Sequence, residues 1–111
     1  MTFTALRGLA ASFVMAAAIM SNLGIGCAHA EDFKITIDNF TFSPTELKVK
    51  VGDTVTWTNH DDIPHTVVSA GKFRSKAMDT DNEFSFTFTS AGDYKYFCSL
   101  HPHMTGMIKV E

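Results

Sequence analysis

From residue 33 onward the chain alternates apolar and polar residues in short runs that are rich in β-branched and aromatic side chains. This period of two is typical of strands that are buried on one face. Turn-forming pairs separate the runs, among them Ser43-Pro44, Gly52-Asp53 and Ala91-Gly92. The pattern predicts about seven strands, near residues 33–38, 46–51, 54–59, 66–69, 84–89, 93–97 and 106–110.

The aromatic residues of these runs indicate where the core lies. Phe84, Phe86 and Phe88 share one face of their strand, so we expect them to fill the core together with Trp57. Tyr94 follows a Gly-Asp turn and can donate its hydroxyl back to the backbone as a tyrosine corner. Strands without helical periodicity predict an all-β fold, a two-sheet Greek-key β-sandwich, rather than an α/β enzyme.

The first thirty residues are typical of a signal peptide. Arg7 is the only charge before Glu31, and the apolar run over residues 9–20 is short for a membrane span. Ala28-His29-Ala30 is a small-x-small cleavage pattern, after which the composition turns polar. We therefore expect residues 1–30 to be removed on export, and residues 31–111 to form one domain in the periplasm, without a membrane span.

Two alternatives for this segment remain open. The apolar run could persist as an anchor helix, although Asn22, Gly24 and Gly26 interrupt it. Cys27 could instead carry a lipid, although Gly24 stands where a lipoprotein signal favours a Leu-like residue. If Cys27 is removed with the signal peptide, Cys98 is the one remaining cysteine, and the exported domain cannot form an internal disulfide.

The length and net charge of the chain limit the number of domains and the classes of partner. A chain of 111 residues holds one small domain. Residues 31–111 carry eight basic and twelve acidic side chains, a formal charge of −4. This balance argues against a nucleic-acid or anionic-membrane partner, and it would speed the approach of a basic protein.

The segment with the most chemistry lies between the last two predicted strands. Cys98, His101 and Met104 follow one another at intervals of three, so one tight connection can direct a thiolate, an imidazole and a thioether toward a common centre. His65, at the start of an upstream strand, can supply a second imidazole. Two histidines and a thiolate form a trigonal set, and with Met104 as a weak axial ligand they have the composition of a mononuclear blue-copper site.

Each of these residues also has an ordinary structural role. A lone cysteine is often a small buried apolar group, a methionine often fills a gap in the core, and histidines are common at surfaces. Zinc could also occupy the same ligands. The combination of a free thiol in an oxidising compartment with three ligand types at regular spacing nevertheless favours a metal site.

These residues carry a resemblance to a known family. Trp57-Thr58-Asn59, Pro64-His65-x-Val67 and the run from Gly92 through Cys98-x-x-His101-Pro102-x-Met104 to Gly106 resemble the cupredoxins, and the short ligand segment is most similar to the amicyanin group. The resemblance covers nearly all of residues 33–111. It implies a periplasmic or thylakoid-lumen β-sandwich that is a monomer, is not an enzyme, and passes single electrons between redox protein partners. It also implies one copper ion that cycles between Cu(II) and Cu(I) on His65, Cys98, His101 and Met104.

Two positions depart from the family pattern. His103 stands where amicyanins have Phe, inside the apolar patch that contacts their partners, so partner choice can differ. Thr66 stands where cupredoxins often have an Asn that ties the two ligand segments together. We expect the Thr66 hydroxyl to perform part of that role.

Two other functions compete with electron transfer. A copper-binding module that buffers or delivers the metal is conceivable because His60, His103 and three methionines lie in residues 31–111. A Cys–His nucleophile would make the chain an enzyme, but the sequence offers neither a substrate domain nor an oxyanion device. Electron transfer predicts that copper changes oxidation state in place, whereas a delivery module would surrender it to a chelator.

Overall fold

The computed structural model describes residues 30–111. The predictions made for the leader and for Cys27 lie outside this range. The described residues form nine strands: β1 (Asp32–Asp38), β2 (Thr41–Ser43), β3 (Glu46–Val49), β4 (Thr54–Asn59), β5 (Val68–Ser69), β6 (Phe73–Arg74), β7 (Glu83–Thr87), β8 (Gly92–Cys98) and β9 (His101–Val110).

The strands form two mixed sheets, which confirms the all-β sandwich. The first has the order β2-β1-β4-β7 and the second β3-β9-β8-β5-β6. β1 pairs in parallel with β4, from Asp32 opposite Thr54 to Ile37 opposite Asn59. β3 pairs in parallel with β9, and the other pairings are antiparallel. Because several neighbours are not consecutive in the chain, connections cross from one sheet to the other, as in a Greek key.

The core lies between the sheets and follows the predicted alternation. On β4 the residues Val55, Trp57 and Asn59 are buried, and the residues between them are partly exposed. The facing strand β8 contributes Tyr96 and Cys98, which lie in the same apolar cluster. The tyrosine corner is also confirmed, because the Tyr94 hydroxyl lies 2.7 Å from the Ser90 carbonyl oxygen to which it donates.

The three phenylalanines of the β7 region are buried to different extents. Phe88 is fully buried, whereas Phe84 and Phe86 are half-buried and pack against the core cluster. β7 is an edge strand, so its side chains have fewer neighbours than those of β4. Phe73 compensates in part, since its ring centroid lies 4.7 Å from that of Phe86.

The strand count and one boundary differ from the prediction. β2 and β6 were not predicted, because strands of two or three residues are too short to show a period. The last strand begins at His101 rather than near residue 106. Within residues 30–111 no helix has the length and apolar character needed to cross a membrane.

Candidate metal centre

Three of the four predicted ligands, Cys98, His101 and Met104, lie on one hairpin. Cys98 ends β8 and His101 begins β9, and the two residues pair across a turn formed by Ser99 and Leu100. The ligand segment is therefore part of a β-hairpin, not a separate loop before the last strand. This pairing brings the thiol and the His101 imidazole to one end of the sandwich.

A register shift in the same hairpin sets the direction of the residues that follow. Phe97 pairs with Thr105 whereas Cys98 pairs with His101, so residues 102–104 have no partner on β8. The extra residues let β9 bulge at this point. Met104 turns into the core and is 6% exposed, while His103 is exposed to solvent.

His65 reaches the centre from the connection between β4 and β5. Its backbone forms an isolated antiparallel bridge with Met78, in which each residue donates its N–H to the carbonyl of the other, at 3.2 and 2.8 Å. The buried Asn59 holds this connection, since its amide group donates to the carbonyls of Ile63 and Met78, both at 2.9 Å. In the sequence Asn59 is only one residue of the family motif, and the alternation of apolar and polar residues along β4 gives no sign of this role.

The ligand atoms of Cys98, His65 and His101 converge on one point. Cys98 Sγ lies 3.7 Å from His65 Nδ1 and 3.6 Å from His101 Nδ1, and all three atoms lie within 4.8 Å of one another. Three donors spaced evenly around a first-row metal, with bonds of about 2.0–2.3 Å, lie roughly 3.5–4.0 Å apart. His65 and Cys98 are fully buried and His101 is partly exposed. The donor set and its spacing therefore fit a trigonal N₂S site for copper.

The surroundings of Cys98 favour its thiolate form. Burial raises the pKa of Cys98, but the Thr66 N–H, 3.3 Å from the sulfur, and the two imidazoles outweigh this effect and lower the pKa to about 6. The thiolate, which is the form that binds metals, therefore predominates at neutral pH.

Asp61 orients the buried histidine. Its Oδ2 atom lies 2.7 Å from His65 Nε2, and backbone N–H groups of the turn between β1 and β2 donate to both of its oxygens. Burial raises the pKa of Asp61, but these backbone hydrogen bonds and the contact with His65 prevail and lower it to about 2. An ionised carboxylate can only accept, so His65 donates from Nε2 and keeps the lone pair of Nδ1 for the metal.

In the sequence Asp61 belongs to a predicted turn, Asp61-Asp62-Ile63-Pro64, and was given no role at the site. Its only sequence signal was a carboxylate four residues before a histidine. Such a spacing in a turn does not define a contact.

Thr66 connects the two ligand segments, as expected. Its hydroxyl accepts the Ser99 N–H at 2.7 Å, and it lies 2.8 Å from the Ser99 hydroxyl and 3.7 Å from the Cys98 sulfur. A threonine therefore joins the His65 segment to the β8–β9 turn with one oxygen atom.

The remaining histidines of the described range lie apart from the centre. His60 is half-exposed, and its Nδ1 lies 3.7 Å from an oxygen of the exposed Asp81. His103 is exposed on the bulged part of β9. Within residues 30–111, the one group of His, Cys or acidic side chains spaced to hold a metal is His65, Cys98 and His101.

A buried thiolate with two imidazoles at one end of a two-sheet sandwich defines a class, the single-domain copper-binding β-sandwich proteins. Comparison with known proteins gives the same result. The chain belongs to the plastocyanin/azurin family of copper binding proteins, whose family model matches residues 30–111. Copper is accordingly its cofactor.

The most similar relatives include amicyanins. The chain is 37% identical over 103 residues to an amicyanin of Paracoccus denitrificans, covering 86% of this chain and 79% of the relative. It is 33% identical over 89 residues to a chloroplastic plastocyanin of Tetradesmus obliquus, covering 67% and 61%. A Cu(I) structure of an amicyanin mutant matches at 36% identity with a TM-score of 0.69, covering 71% of this chain and 81% of the other.

Proposed function

We propose that this protein carries single electrons between redox proteins through one mononuclear copper ion. His65, Cys98 and His101 would hold the ion, with Met104 as a fourth, weaker ligand. The observation that carries the proposal is the convergence of a thiolate and two imidazoles, whose ligand atoms all lie within 4.8 Å of one another. A site whose ligands are held by the fold lets one set of ligands serve both oxidation states.

The protein's contribution is to hold these side chains still. Bound copper supplies the one-electron Cu(II)/Cu(I) couple. His65 is held by the bridge to Met78 and by Asp61, while Cys98 and His101 are held by the β8–β9 pairing. Thr66 joins the two groups, so a change in oxidation state would find little room for rearrangement.

His101 marks the side from which partners would approach. It is partly exposed, whereas His65 and Cys98 are fully buried. Leu100, beside it in the turn, is 51% exposed, and Pro102 is exposed as well. An apolar rim around the accessible ligand suits transient contact with redox proteins, and this chain would serve as a monomeric carrier rather than an enzyme.

Burial of the ligands also bears on the alternative of copper delivery. A delivery module needs ligands that an acceptor can reach. Cys98 and His65 have no exposed surface, and His103 and His60 lie outside the cluster. These positions support retention of the metal over its transfer.

We further propose that export ends with a chain that begins at Glu31 in the periplasm. The structure is regular from Asp32, and the backbone nitrogen of Glu31 lies 2.9 Å from Asp53 Oδ1. Cleavage before Glu31 would turn this amide into an ammonium group next to a carboxylate, which would strengthen the contact.

The test of the copper site is the visible absorption of residues 31–111 with one equivalent of Cu(II). We expect an intense blue or blue-green band that bleaches with ascorbate, returns on reoxidation, and is missing in Cys98→Ser. The matched control is Ser99→Ala, which leaves the thiol in place. Absence of the band in the unmodified chain contradicts the proposal, and rapid loss of copper to a chelator favours delivery.

A further inference from the structure

The turn between β1 and β2 has an unusual backbone. Asn39 and Phe40 both have positive φ, at 53° and 58°, and the flanking residues Asp38 and Thr41 pair with each other. Two successive residues with positive φ form the tight primed turn of a β-hairpin, in which Asn suits the first position and Gly the second. A phenylalanine at the second position is strained, because its Cβ crowds the backbone.

The carboxylate of Asp61 holds this strained turn in place. Asp61 Oδ1 accepts the Asn39 N–H at 2.6 Å, and Oδ2 accepts the Phe40 N–H at 2.9 Å. Oδ2 is also the atom that lies 2.7 Å from His65 Nε2. One carboxylate therefore fixes the turn and a proposed ligand relative to each other.

The Phe40 side chain gains little from burial, since it is 51% exposed. Its ring meets both proposed imidazole ligands edge to face. The centroids lie 5.5 Å from His65 at 87°, and 5.1 Å from His101 at 88°. Strain that is not offset by burial in the core, at a residue that contacts a functional site, indicates a role in that site.

We propose that Phe40 is a positioning residue that caps the two imidazoles, restraining the partly exposed His101 ring and keeping small solvent-borne ligands away from the metal. The inference rests on the proposed copper site. The turn accepts backbone strain because Gly, the residue that suits its conformation, would leave both rings uncovered.

The test measures how readily free imidazole binds the Cu(II) protein, followed as the change in its visible band. We expect Phe40→Ala and Phe40→Gly each to lower the dissociation constant for imidazole by at least about tenfold. Phe40→Tyr keeps the ring and should stay within about twofold of the unmodified protein. Val51→Ala, which shortens a similarly exposed apolar side chain in the turn before Asp53, should do the same.

Unfolding of the metal-free protein provides a second measurement. Because Gly accepts positive φ, Phe40→Gly should unfold at a higher temperature than Phe40→Ala. Equal imidazole binding in Phe40→Ala, Phe40→Gly and the unmodified protein would overturn the cap, and a lower midpoint for Phe40→Gly than for Phe40→Ala would overturn the strain argument. A chain without a visible band would refute the copper site itself, which is a separate result.

Discussion

Two aspartates, Asp53 and Asp61, lie at opposite ends of the parallel β1–β4 pair. Both accept hydrogen bonds from backbone N–H groups, but they serve different functions. Asp53 lies just before β4 and accepts the backbone N–H groups of Glu31 and Lys50, at 2.9 and 2.8 Å. Asp61 lies just after β4 and accepts two backbone N–H groups of the β1–β2 turn, at 2.6 and 2.9 Å. Each carboxylate thus closes one end of the same strand pair.

The difference lies in a third contact. Asp61 also meets the imidazole of His65, whereas the hydrogen bonds of the Asp53 carboxylate go to backbone groups of the frame. Asp61 is part of the metal centre because the imidazole of a proposed ligand lies within hydrogen-bond distance of its carboxylate. The comparison teaches that the function of a residue here depends on its spatial neighbours more than on its type or local hydrogen bonds.

Among the substitutions that test this comparison, replacement of Asp61 should have the largest effect on stability and on the copper spectrum. In Asp61→Ala three donors lose their acceptor, so we expect the free energy of unfolding of the metal-free protein to fall by about 2–3 kcal/mol. Loss of the carboxylate also frees the His65 ring, and the visible band of the copper form should weaken or shift. Urea unfolding and the absorption spectrum measure the two effects. Asp62→Ala, at an exposed neighbouring position, is the control and should change neither.

A smaller effect is expected at the second connection of the metal end. Thr66→Val removes the acceptor of the Ser99 N–H and should cost about 1–2 kcal/mol in urea unfolding. It should also shift the visible band, because the two ligand segments are no longer joined. The control is Thr56→Val, which breaks an exposed hydroxyl pair with Ser85 at 2.6 Å. If both variants behave alike, the connection through Thr66 has no special importance.

Asp53 should affect stability alone and in a way that depends on pH. Hydrogen bonds from the backbone of Glu31 and then Lys50 hold the pKa of Asp53 below its ordinary 3.8. Its stabilising contribution is therefore complete above that pH and is lost as the pH falls through the lower folded value. We expect Asp53→Asn to unfold more easily than the unmodified protein at neutral pH, with the difference shrinking in acid. An altered copper spectrum would contradict the division of roles between the two aspartates.

The smallest effect concerns Glu31, the proposed first residue after cleavage. A chain that begins at Glu31 should melt at a slightly higher temperature than one in which Ala30 precedes it, because its ammonium group meets the Asp53 carboxylate. In Asp53→Asn the two chains should melt together. A difference that persists in that variant would show that the ammonium acts elsewhere.

Much of the frame could be predicted because its pattern is local. The pattern along β4 placed Trp57 in the core, and the Gly-Asp turn before Tyr94 predicted the corner that the structure confirms. β2 and β6 escaped prediction because they have three and two residues. The start of β9 was placed too late, since alternation is broken where residues 102–104 bulge from the sheet.

The site divides in the same way. Cys98, His101 and Met104 have a recognisable spacing, and His65 was added because the site needs a second imidazole. The four candidate metal ligands could therefore be chosen from the sequence. Asp61, Asn59 and Phe40 act through contacts made across the fold, for which no local spacing exists. Thr66 lies between these cases, because a family pattern pointed to its position while the structure supplied its partner Ser99.

The sequence by itself determined the β-sandwich and a sulfur-and-imidazole donor set, because alternation and residue chemistry are properties of neighbouring positions. Tertiary structure alone decided which carboxylate orients His65, which ring covers the imidazoles, and why Gly106 must be small, since a Cβ there would overlap the Tyr96 ring. These contacts join residues far apart in the chain. They exist only once the two sheets have packed, because packing, and not sequence spacing, fixes the distances between strands.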